Sequence, residues 1–405
     1  RRRLLILAKE RIGIMGGTFN PIHQGHLTMA LAAKEKARLD EVLVIPSGNP
    51  PHKAHTAPAE DRWRMVCAAC AQESGLTPCR VELDRPGVIY TVDTLSILRE
   101  KYPKAEWFYI IGADTLMELR NWRRFEEVLR MCTFLVCPRA TDAAPMALTE
   151  ERHRLEALGG RFVMLDFPPM EVSSTDIRQA LERDQPTSLL PVTVREYCGI
   201  MGLYGMTQRL PQAEAWLDRL FGALTVKRFA HTLAVASTAR SLALVHHLDA
   251  AKAEAAGLLN DCAKCLPLRE QQRIARAHGL TADTGLMESG ALLHAVVGAY
   301  LARADYGVTD VDILEAIRCH TTGRPGMNRL SMAVYLADAI EPTREAYPLL
   351  NQIRLMAQLS LERAMTTSME GTAGHVRKSG KALHPATLET LNWLRTLKEA
   401  DGPSI

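Results

Sequence analysis

Residues Gly13–His26 read Gly-Ile-Met-Gly-Gly-Thr-Phe-Asn-Pro-Ile-His-Gln-Gly-His, and this stretch predicts the fold of the first half of the chain. An apolar run leads into Gly16 and Gly17, and a helical pattern of apolar residues follows the stretch. Glycines can take positive φ and let a backbone approach a phosphate closely, while the free N–H groups at a helix start attract an anion. Because His23 and His26 stand beside this anion site, we predict a strand, a nucleotide-phosphate loop and a helix.

The composition of the chain is that of a globular protein with more than one domain. Its 405 residues are too many for one ordinary hydrophobic core. The net charge of +3 gives no broad basic field, so we expect neither nucleic-acid nor membrane binding. No apolar run has the length needed to span a bilayer. Nine scattered cysteines, an odd number, fit a reducing compartment and predict a cytoplasmic protein.

The first half, up to about residue 204, alternates short apolar runs with helical patterns. After the opening strand, strands are predicted at Val42–Ile45, Val81–Leu83, Trp107–Ile111, Phe134–Val136 and Phe162–Leu165, and helices at Asp61–Gln72, Thr91–Lys101 and Thr115–Leu119. This alternation predicts an α/β fold with a Rossmann-like, doubly wound parallel sheet. Ligands of such sheets bind at the carboxyl ends of the strands, where the glycine stretch lies.

The second half has a helical pattern throughout, which predicts an all-α domain. Its clearest predicted helices are Leu224–Leu244, Ala250–Leu259, Leu292–Ala304 and Ile313–Ile317. Gly205 and Pro211 break the pattern between the halves. We therefore predict two domains, residues 1–205 and 206–405.

Three later motifs of the first half carry residues that can contact a nucleotide. Lys53 ends a proline-rich loop and offers a positive charge to phosphate. Trp122, shortly after Gly112-Ala113-Asp114, offers an aromatic face to a flat ring. Ser173–Arg178 combines a helix N-cap with an arginine in the first turn, a second anion site. Taken singly, the proline-rich loop is more typical of a plain turn and Ser173–Arg178 of a plain helix cap, while Trp122 is equally typical of a core aromatic.

Residues of about 11–204 resemble the bacterial nicotinate-nucleotide adenylyltransferases of the nucleotidylyltransferase superfamily. The resemblance rests on the opening stretch and on Pro50–Lys53, Tyr90–Leu95, Gly112–Asp114, Trp122, Cys137–Arg139 and Ser173–Arg178. The family often has Asp at the position of Asn20, which is a mild difference because Asn also hydrogen-bonds locally. A transferase of the same superfamily that uses another mononucleotide is the alternative, and the preference between nicotinate and nicotinamide is left open.

The resemblance implies that the adenylyl group of ATP is transferred to nicotinate mononucleotide, giving nicotinate adenine dinucleotide and pyrophosphate, a step of NAD biosynthesis. It also implies Mg²⁺ bound with ATP. The residues that it implies for catalysis are His23, His26, Lys53 and Arg178. Those that it implies for binding ATP and the mononucleotide are Gly16, Gly17, Thr18, Phe19, Thr91, Gly112, Asp114, Trp122, Arg139, Ser174 and Thr175.

Polar residues of the second half stand at positions where a helix should be apolar, namely His231, Asp261, His294, His320 and Asp338. Their neighbours along the chain are apolar, so each side chain is predicted to point inward. A buried charge needs a partner. Three histidines and two aspartates that converge would form a metal site.

This half, about residues 212–400, resembles the HD-domain phosphohydrolases. More narrowly, it is similar to the family that splits diadenosine tetraphosphate symmetrically into two ADP at a two-metal centre, expected to hold iron. The narrower resemblance rests on Leu293–Ala299, Ala316–Met327 and Leu336–Arg344. It implies the five residues above as metal ligands, and Arg324 and Arg344 as phosphate contacts.

The chain departs from this family at one metal ligand, because the His-Asp pair of the family reads Asn260-Asp261 here. An amide is a much poorer ligand for a transition metal than a neutral imidazole. The sequence leaves three outcomes open: a weakened hydrolase, a changed metal or a site reduced to one metal, and a catalytically inactive module for regulation or assembly. It also leaves a homo-oligomer open.

Overall fold

The structure is a computed structural model that describes residues 10–48, 56–137, 145–166, 172–380 and 382–400. Backbone contacts divide the chain into two compact units. The sheet unit comprises Arg1–Val194 with Leu203–Met206, and the helical unit comprises Arg195–Gly202 with Thr207–Ile405. The domain boundary between residues 205 and 206 stays a prediction, which separate expression of the two halves would test.

The sheet unit is built on a parallel sheet whose strands have the order β3-β2-β1-β4-β5-β6. The strands are β1 Arg11–Gly17, β2 Glu41–Pro46, β3 Leu76–Pro78, β4 Glu106–Gly112, β5 Thr133–Cys137 and β6 Phe162–Met164. The apolar runs of the central strands are buried, as in sheets covered on both faces. Because the strand order reverses between β1 and β4, the switch point that favours ligand binding lies there. The predicted α/β fold with a doubly wound parallel sheet is confirmed.

Helices flank this sheet and connect its strands. They are α1 Gln24–Lys36, α2 Ala59–Cys70, α3 Thr91–Lys101, α4 Ala113–Glu118, α5 Phe125–Met131, α6 Pro145–Ala157 and α7 Ser174–Glu182, with a 3₁₀ turn at Leu119–Asn121. The next helix, α8 Val192–Met201, begins in the sheet unit and continues into the helical unit. Buried side chains of α3 and α5 pack in one core with those of β1, β4 and β5. This packing holds the carboxyl ends of β1 and β4 in place.

The predicted strand at Val81–Leu83 is wrong, since these residues form turns and the edge strand is β3. The Leu83 N–H donates to the Arg80 carbonyl, which closes a turn. Glu82 in the middle of the run is partly buried, and its carboxylate accepts a hydrogen bond from Thr94 Oγ1 at 2.7 Å. The side chain of Glu82 therefore faces α3, and the run does not pair with a strand.

The helical unit contains no strand in the residues that the structure describes. Its helices after α8 are α9 Ala213–Ala223, α10 Val226–Val245, α11 Ala250–Leu259, α12 Leu268–Ala277, α13 Thr284–Met287, α14 Gly290–Ala304, α15 Val311–Cys319, α16 Arg329–Ile340, α17 Leu350–Leu359, α18 Leu361–Lys378 and α19 Pro385–Ala400. The predicted all-α second half is confirmed. Across the described part of the chain, no helix combines the length and the apolar character that crossing a membrane requires.

Candidate nucleotide site and candidate metal centre

The glycine stretch lies at the switch point, but it differs from the prediction in its details. Gly16 and Gly17 are the last residues of β1, and neither has positive φ; instead Phe19 has a φ of 48°. Helix α1 begins at Gln24, so His26 lies in its first turn and not in the connecting loop. The turn that the glycines were expected to make is thus made two residues later, by a buried phenylalanine.

His23 and His26 lie against each other, with ring centroids 3.7 Å apart and ring planes 30° from parallel. The His23 backbone N–H donates to Nδ1 of His26 at 3.3 Å. Because Nδ1 of His26 accepts, the proton of the neutral ring sits on Nε2. The Phe19 ring meets His26 edge-on at 5.0 Å. Together these contacts hold His26 with Nε2–H as a hydrogen-bond donor.

The amino end of α7 lies against the same loop. Arg178 donates from Nη1 to the Asn20 carbonyl at 2.8 Å and from Nη2 to Thr175 Oγ1 at 3.1 Å. Ser174 Oγ donates to the Pro21 carbonyl at 3.4 Å. The structure therefore brings Ser174, Thr175 and Arg178 to the loop between β1 and α1, next to the helix start that carries the histidines, although they are about 150 residues away in sequence.

Tyr109 on β4 connects three further predicted residues, and the sequence analysis missed it. A Cβ atom added at Gly16 would lie 2.5 Å from the Tyr109 hydroxyl, so only glycine fits there. The hydroxyl also hydrogen-bonds Thr91, and burial raises the pKa of Tyr109. Trp122 packs edge-on against the Tyr109 ring at 5.7 Å. A tyrosine in an otherwise apolar strand was the available signal, since a buried hydroxyl needs a partner.

The remaining predicted residues of this site divide into two groups. Gly112 ends β4 beside β1, and Asp114 is exposed in the first turn of α4, where Oδ1 accepts from the Thr115 N–H at 2.8 Å. Thr18 follows β1 and is partly exposed. Lys53 and Arg139 lie outside the described residues.

In the helical unit, all five predicted ligands form two groups of donor atoms that share Asp261. The first group joins Asp261 Oδ1 to Nε2 of His294 at 2.9 Å and to Nε2 of His320 at 3.6 Å. The second joins His231 Nε2 to Asp338 Oδ1 at 2.9 Å and to Asp261 Oδ2 at 3.6 Å. Within each group the ligand atoms all lie within 4.8 Å of one another. The two oxygens of one carboxylate thus serve both groups.

In each of the three imidazoles of these groups, the Nδ1 atom has a hydrogen-bond partner that orients the ring. Nδ1 of His294 lies 3.1 Å from the Gly290 carbonyl, and Nδ1 of His320 lies 2.7 Å from the Ile317 carbonyl. Nδ1 of His231 lies 3.1 Å from Glu341 Oε1. A histidine that ligates a metal usually donates its other N–H to such an acceptor. All three rings therefore present Nε2 to the aspartates.

Glu341 was missed as part of this centre. It is buried at the end of α16, one turn after Asp338. Burial alone would raise its pKa, but the hydrogen bonds with His231 and Thr343 together outweigh burial, so the pKa is lowered. The signal in the sequence was a glutamate just after an otherwise apolar helix.

The electrostatics of the cluster keep the shared carboxylate ionised. Burial would raise the pKa of Asp261, but hydrogen bonds from His294 and His320 hold it well below its usual range. The pKa of Asp338 is lowered to about 2, since the hydrogen bond with His231 and the charge of Arg344 outweigh burial. Two carboxylates that stay charged at neutral pH are suited to a cation.

Three cationic side chains surround the cluster. Arg228 Nη1 donates to Asp261 Oδ2 at 2.6 Å, and Arg344 Nη2 donates to Asp338 Oδ1 at 2.8 Å. Lys264 Nζ lies 3.4 Å from His294 Nε2, and burial lowers the pKa of this lysine. By contrast, Arg324 forms an ion pair with Glu315 at 2.6 Å and is more than half exposed. Arg344 therefore lies at the cluster, while Arg324 pairs with Glu315, and the phosphate contacts of both arginines stay predictions.

Asn260, where the resembled family has a histidine, is completely buried. Neither Oδ1 nor Nδ2 of its amide has a hydrogen-bond partner in the described part of the chain. A buried polar atom without a partner costs about 1–3 kcal/mol. An amide next to Asp261 with both ends unsatisfied can hydrogen-bond or ligate an ion, a water molecule or a ligand bound there.

Comparisons with known proteins agree with this division of the chain. Residues 14–180 match the cytidylyltransferase-like family, and residues 228–343 match the HD domain. A probable nicotinate-nucleotide adenylyltransferase of Gloeobacter violaceus is 40% identical over 201 residues, which are 48% of this chain and 96% of that protein. A probable nicotinate-nucleotide adenylyltransferase of Moorella thermoacetica is 37% identical over 211 residues, 49% of this chain and 94% of that protein.

Among solved structures, a predicted HD superfamily hydrolase involved in NAD metabolism from Clostridium acetobutylicum is 37% identical, with a TM-score of 0.44, and the match covers 45% of this chain and 97% of that one. The curated relatives named above span about half of this chain, and their match runs nearly from end to end of their own length. The chain therefore belongs to the nicotinate-nucleotide adenylyltransferase family through its first half, to which an HD domain is fused.

Proposed function

We propose that the sheet unit transfers the adenylyl group of ATP to nicotinate mononucleotide. A phosphate oxygen of the mononucleotide attacks the α-phosphorus of ATP, the bond from that phosphorus to the β-phosphate oxygen breaks, and pyrophosphate leaves with the electron pair. No side chain needs to become covalently attached, so the protein contributes alignment and charge stabilisation. The observation that carries this proposal is that His23 and His26 at the start of α1 and Arg178 of α7 lie at the same β1–α1 connection of the switch point.

The chain's own residues have distinct parts in this proposal. His26 donates from Nε2–H to a phosphate oxygen, since its Nδ1 is engaged by the backbone. Arg178 and the amino end of α7 neutralise charge on the leaving pyrophosphate. Thr91 and Trp122, both in contact with Tyr109, border the mononucleotide ring. Mg²⁺, when bound with ATP, supplies further neutralisation of the polyphosphate.

The test is a substrate panel with the full chain. Three mixtures are prepared, each with Mg²⁺: ATP with nicotinate mononucleotide, ATP with nicotinamide mononucleotide, and CTP with nicotinate mononucleotide. The products are separated by anion-exchange chromatography. We expect nicotinate adenine dinucleotide and an equal amount of pyrophosphate from the first mixture, with slower turnover of the second. A chain that makes a dinucleotide only from another pair of substrates would overturn the proposal.

For the helical unit we propose phosphohydrolase activity on a dinucleoside polyphosphate, with diadenosine tetraphosphate split by water into two ADP. The observation behind this second proposal is the pair of donor groups that share Asp261, ringed by Arg228, Lys264 and Arg344. The residues present fit divalent metal ions, because all three imidazoles present Nε2 while their Nδ1 atoms are engaged elsewhere. Asp261, His294 and His320 would hold one ion, and His231, Asp261 and Asp338 the other.

Metal ions bound there would neutralise phosphate charge and make water more acidic. Around them, Arg228, Lys264 and Arg344 would attract and orient the polyphosphate. Asn260 fits this chemistry less well than histidine, because its amide oxygen is a weak ligand for iron and better suited to Mn²⁺ or Mg²⁺. The identity of the metal is therefore part of the proposal.

The test compares the wild-type chain with Asn260→His. Each is loaded with Fe²⁺, Mn²⁺ or Mg²⁺, desalted, analysed for bound metal and assayed for ADP release from diadenosine tetraphosphate. We expect the wild type to hydrolyse with Mn²⁺ better than with Fe²⁺, and Asn260→His to gain iron and activity. If neither chain releases ADP with any metal, the helical unit is a binding or assembly module instead.

A further inference from the structure

Arg62 on α2 is a large charged side chain buried beneath the loops of the sheet unit, with only 1% of its surface exposed. All of its hydrogen-bond acceptors in the described residues are backbone carbonyls: Nε donates to Ala57 at 3.1 Å, Nη1 to Thr18 at 2.9 Å and to Ser47 at 2.7 Å, and Nη2 to Gly48 at 2.7 Å. Burial lowers the pKa of this arginine. Burying an ion costs several kcal/mol. The planar set of N–H donors of the guanidinium must therefore offset this cost through the hydrogen bonds that it makes here.

The carbonyls that Arg62 gathers come from separate segments of the nucleotide site. Thr18 follows β1, while Ser47 and Gly48 follow β2, the neighbouring strand. The Ser47 N–H also donates to the Gly17 carbonyl at 2.8 Å, which holds the two segments side by side. One guanidinium thus fixes the distance and the orientation of both segments.

The orientation matters because the C=O and N–H of a trans peptide point in opposite directions. The Thr18 carbonyl points at Arg62, so the Phe19 N–H in the same peptide points away from it. The Ser47 carbonyl likewise points at Arg62, so the Gly48 N–H points away. Both N–H groups are then turned toward the side of the loops opposite to the buried charge.

We propose that Arg62 is a positioning residue for nucleotide binding, which turns the Phe19 and Gly48 N–H groups outward to donate to the polyphosphate of ATP. This inference rests on the proposed adenylyl transfer, and it adds a buried group that never touches the substrate. Lysine at this position would keep the charge but lose the planar fork, so it could not hold Thr18, Ser47 and Gly48 together.

The variant Arg62→Lys is compared with Val66→Ala in the full chain. Val66 lies one turn further along α2 and is fully buried, so its truncation destabilises the same helix without removing a loop contact. We expect Arg62→Lys to lower kcat/KM for ATP at least about 10-fold, with a smaller change in KM for the mononucleotide. Val66→Ala should lose a similar amount of thermal stability and keep kcat/KM within about twofold. The proposal would be overturned if kcat/KM for ATP fell equally in the two variants, or if Arg62→Lys kept the wild-type kcat/KM.

A second measurement does not depend on folding of the variant or on the mononucleotide. In the ²H,¹⁵N-labelled wild-type chain, the amide signals of Phe19 and Gly48 are followed by NMR while a non-hydrolysable ATP analogue is added. Both signals should shift with the same saturation curve. If neither shifts although the analogue binds, the inference fails even where the transfer reaction itself has been demonstrated.

Discussion

The two histidine sites of this chain are assembled in opposite ways. In the sheet unit, His23 and His26 are three residues apart, and the backbone N–H of one holds the ring of the other. In the helical unit, His231, His294 and His320 belong to separate helical segments, and their Nε2 atoms meet at the carboxylate of Asp261. The first site depends on one short stretch with its supporting backbone, whereas the second depends on long-range packing of charged groups.

This difference teaches where each site is vulnerable. A change at His23 or His26 should alter turnover and leave the hydrophobic core intact, because these two side chains are supported by local contacts. A change at His231, Asp261 or His294 should alter metal binding and the balance of buried charge. Each of these side chains offsets the charge or satisfies the hydrogen bond of another one.

The largest expected effect is on turnover in His26→Ala. Removing one donor that stabilises transition-state charge costs about 10²–10³-fold in kcat. The loss of the contact between the His23 N–H and Nδ1 of His26 should cost only about 1 kcal/mol of stability, as for a helix cap. Steady-state kinetics and thermal unfolding of the same preparation check both numbers.

The matched control is Gln24→Ala, which changes the first residue of the same helix. It should leave kcat within about twofold of the wild type. If His26→Ala behaved like this control, the loop would serve as a rigid binding surface, and the proposed part of His26 would be wrong.

A second prediction concerns metal content in Asp261→Asn. Both donor groups use Asp261, so its loss should weaken both, by more than the 10–100-fold that loss of an outer partner costs. Asp338→Asn should weaken only the group with His231 and leave that with His294 and His320. Bound metal per chain, measured after loading and desalting, should fall to near zero in the first variant and to about half of the wild-type value in the second.

Far-ultraviolet circular dichroism and thermal unfolding of the same samples report whether the variants are folded. Equal metal content in Asp261→Asn and Asp338→Asn would break the comparison, since it would mean that the two groups do not share a ligand. Metal content equal to the wild type in both variants would show that the ions bind elsewhere.

The same contrast explains how much the sequence could predict. Residues 13–26 predicted the strand, the loop and its ligand class, because the relevant contacts are local. The five candidate metal ligands were predicted from polar residues in apolar helices and from a resemblance to a known family, and the structure brings their donor atoms together. The orienting carboxylate of Glu341 was not, because its contact with His231 spans 110 residues.

Arg62 and Tyr109 were missed for a related reason. A helix that carries an arginine is ordinarily expected to expose it, and only the fold shows that Arg62 is enclosed by carbonyls of two loops. The predicted strand at Val81–Leu83 failed in the opposite way. Its apolar residues fitted a strand, while the partly buried carboxylate of Glu82 required the partner that Thr94 provides.

The smallest expected effect is on the pH dependence of stability, and it tests how the helical unit balances its buried charge. Glu254 on α11, the helix that leads into Asp261, is completely buried. Its Oε1 lies 2.9 Å from Arg209 Nη2, its Oε2 lies 3.7 Å from Arg240 Nη1, and Arg209 also pairs with Glu196 at 2.9 Å. Burial, reinforced by the nearby charge of Glu196, raises the pKa of Glu254 to about 8.

The raised pKa means that folding favours the protonated form of Glu254. Its stabilising contribution is present in full below the ordinary pKa of about 4.5 and is lost as the pH rises through about 8. Glu254→Gln mimics the protonated form at every pH. Between pH 4.5 and about 8, its free energy of unfolding should therefore rise relative to that of the wild type, by at most about 1.4 kcal/mol per pH unit. Glu214→Gln, at an exposed position of α9, is the matched control for replacing one glutamate by glutamine. A pH-independent difference between Glu254→Gln and the wild type would mean that Arg209 and Arg240 keep this carboxylate ionised, and that the helical unit balances its buried charge within each cluster.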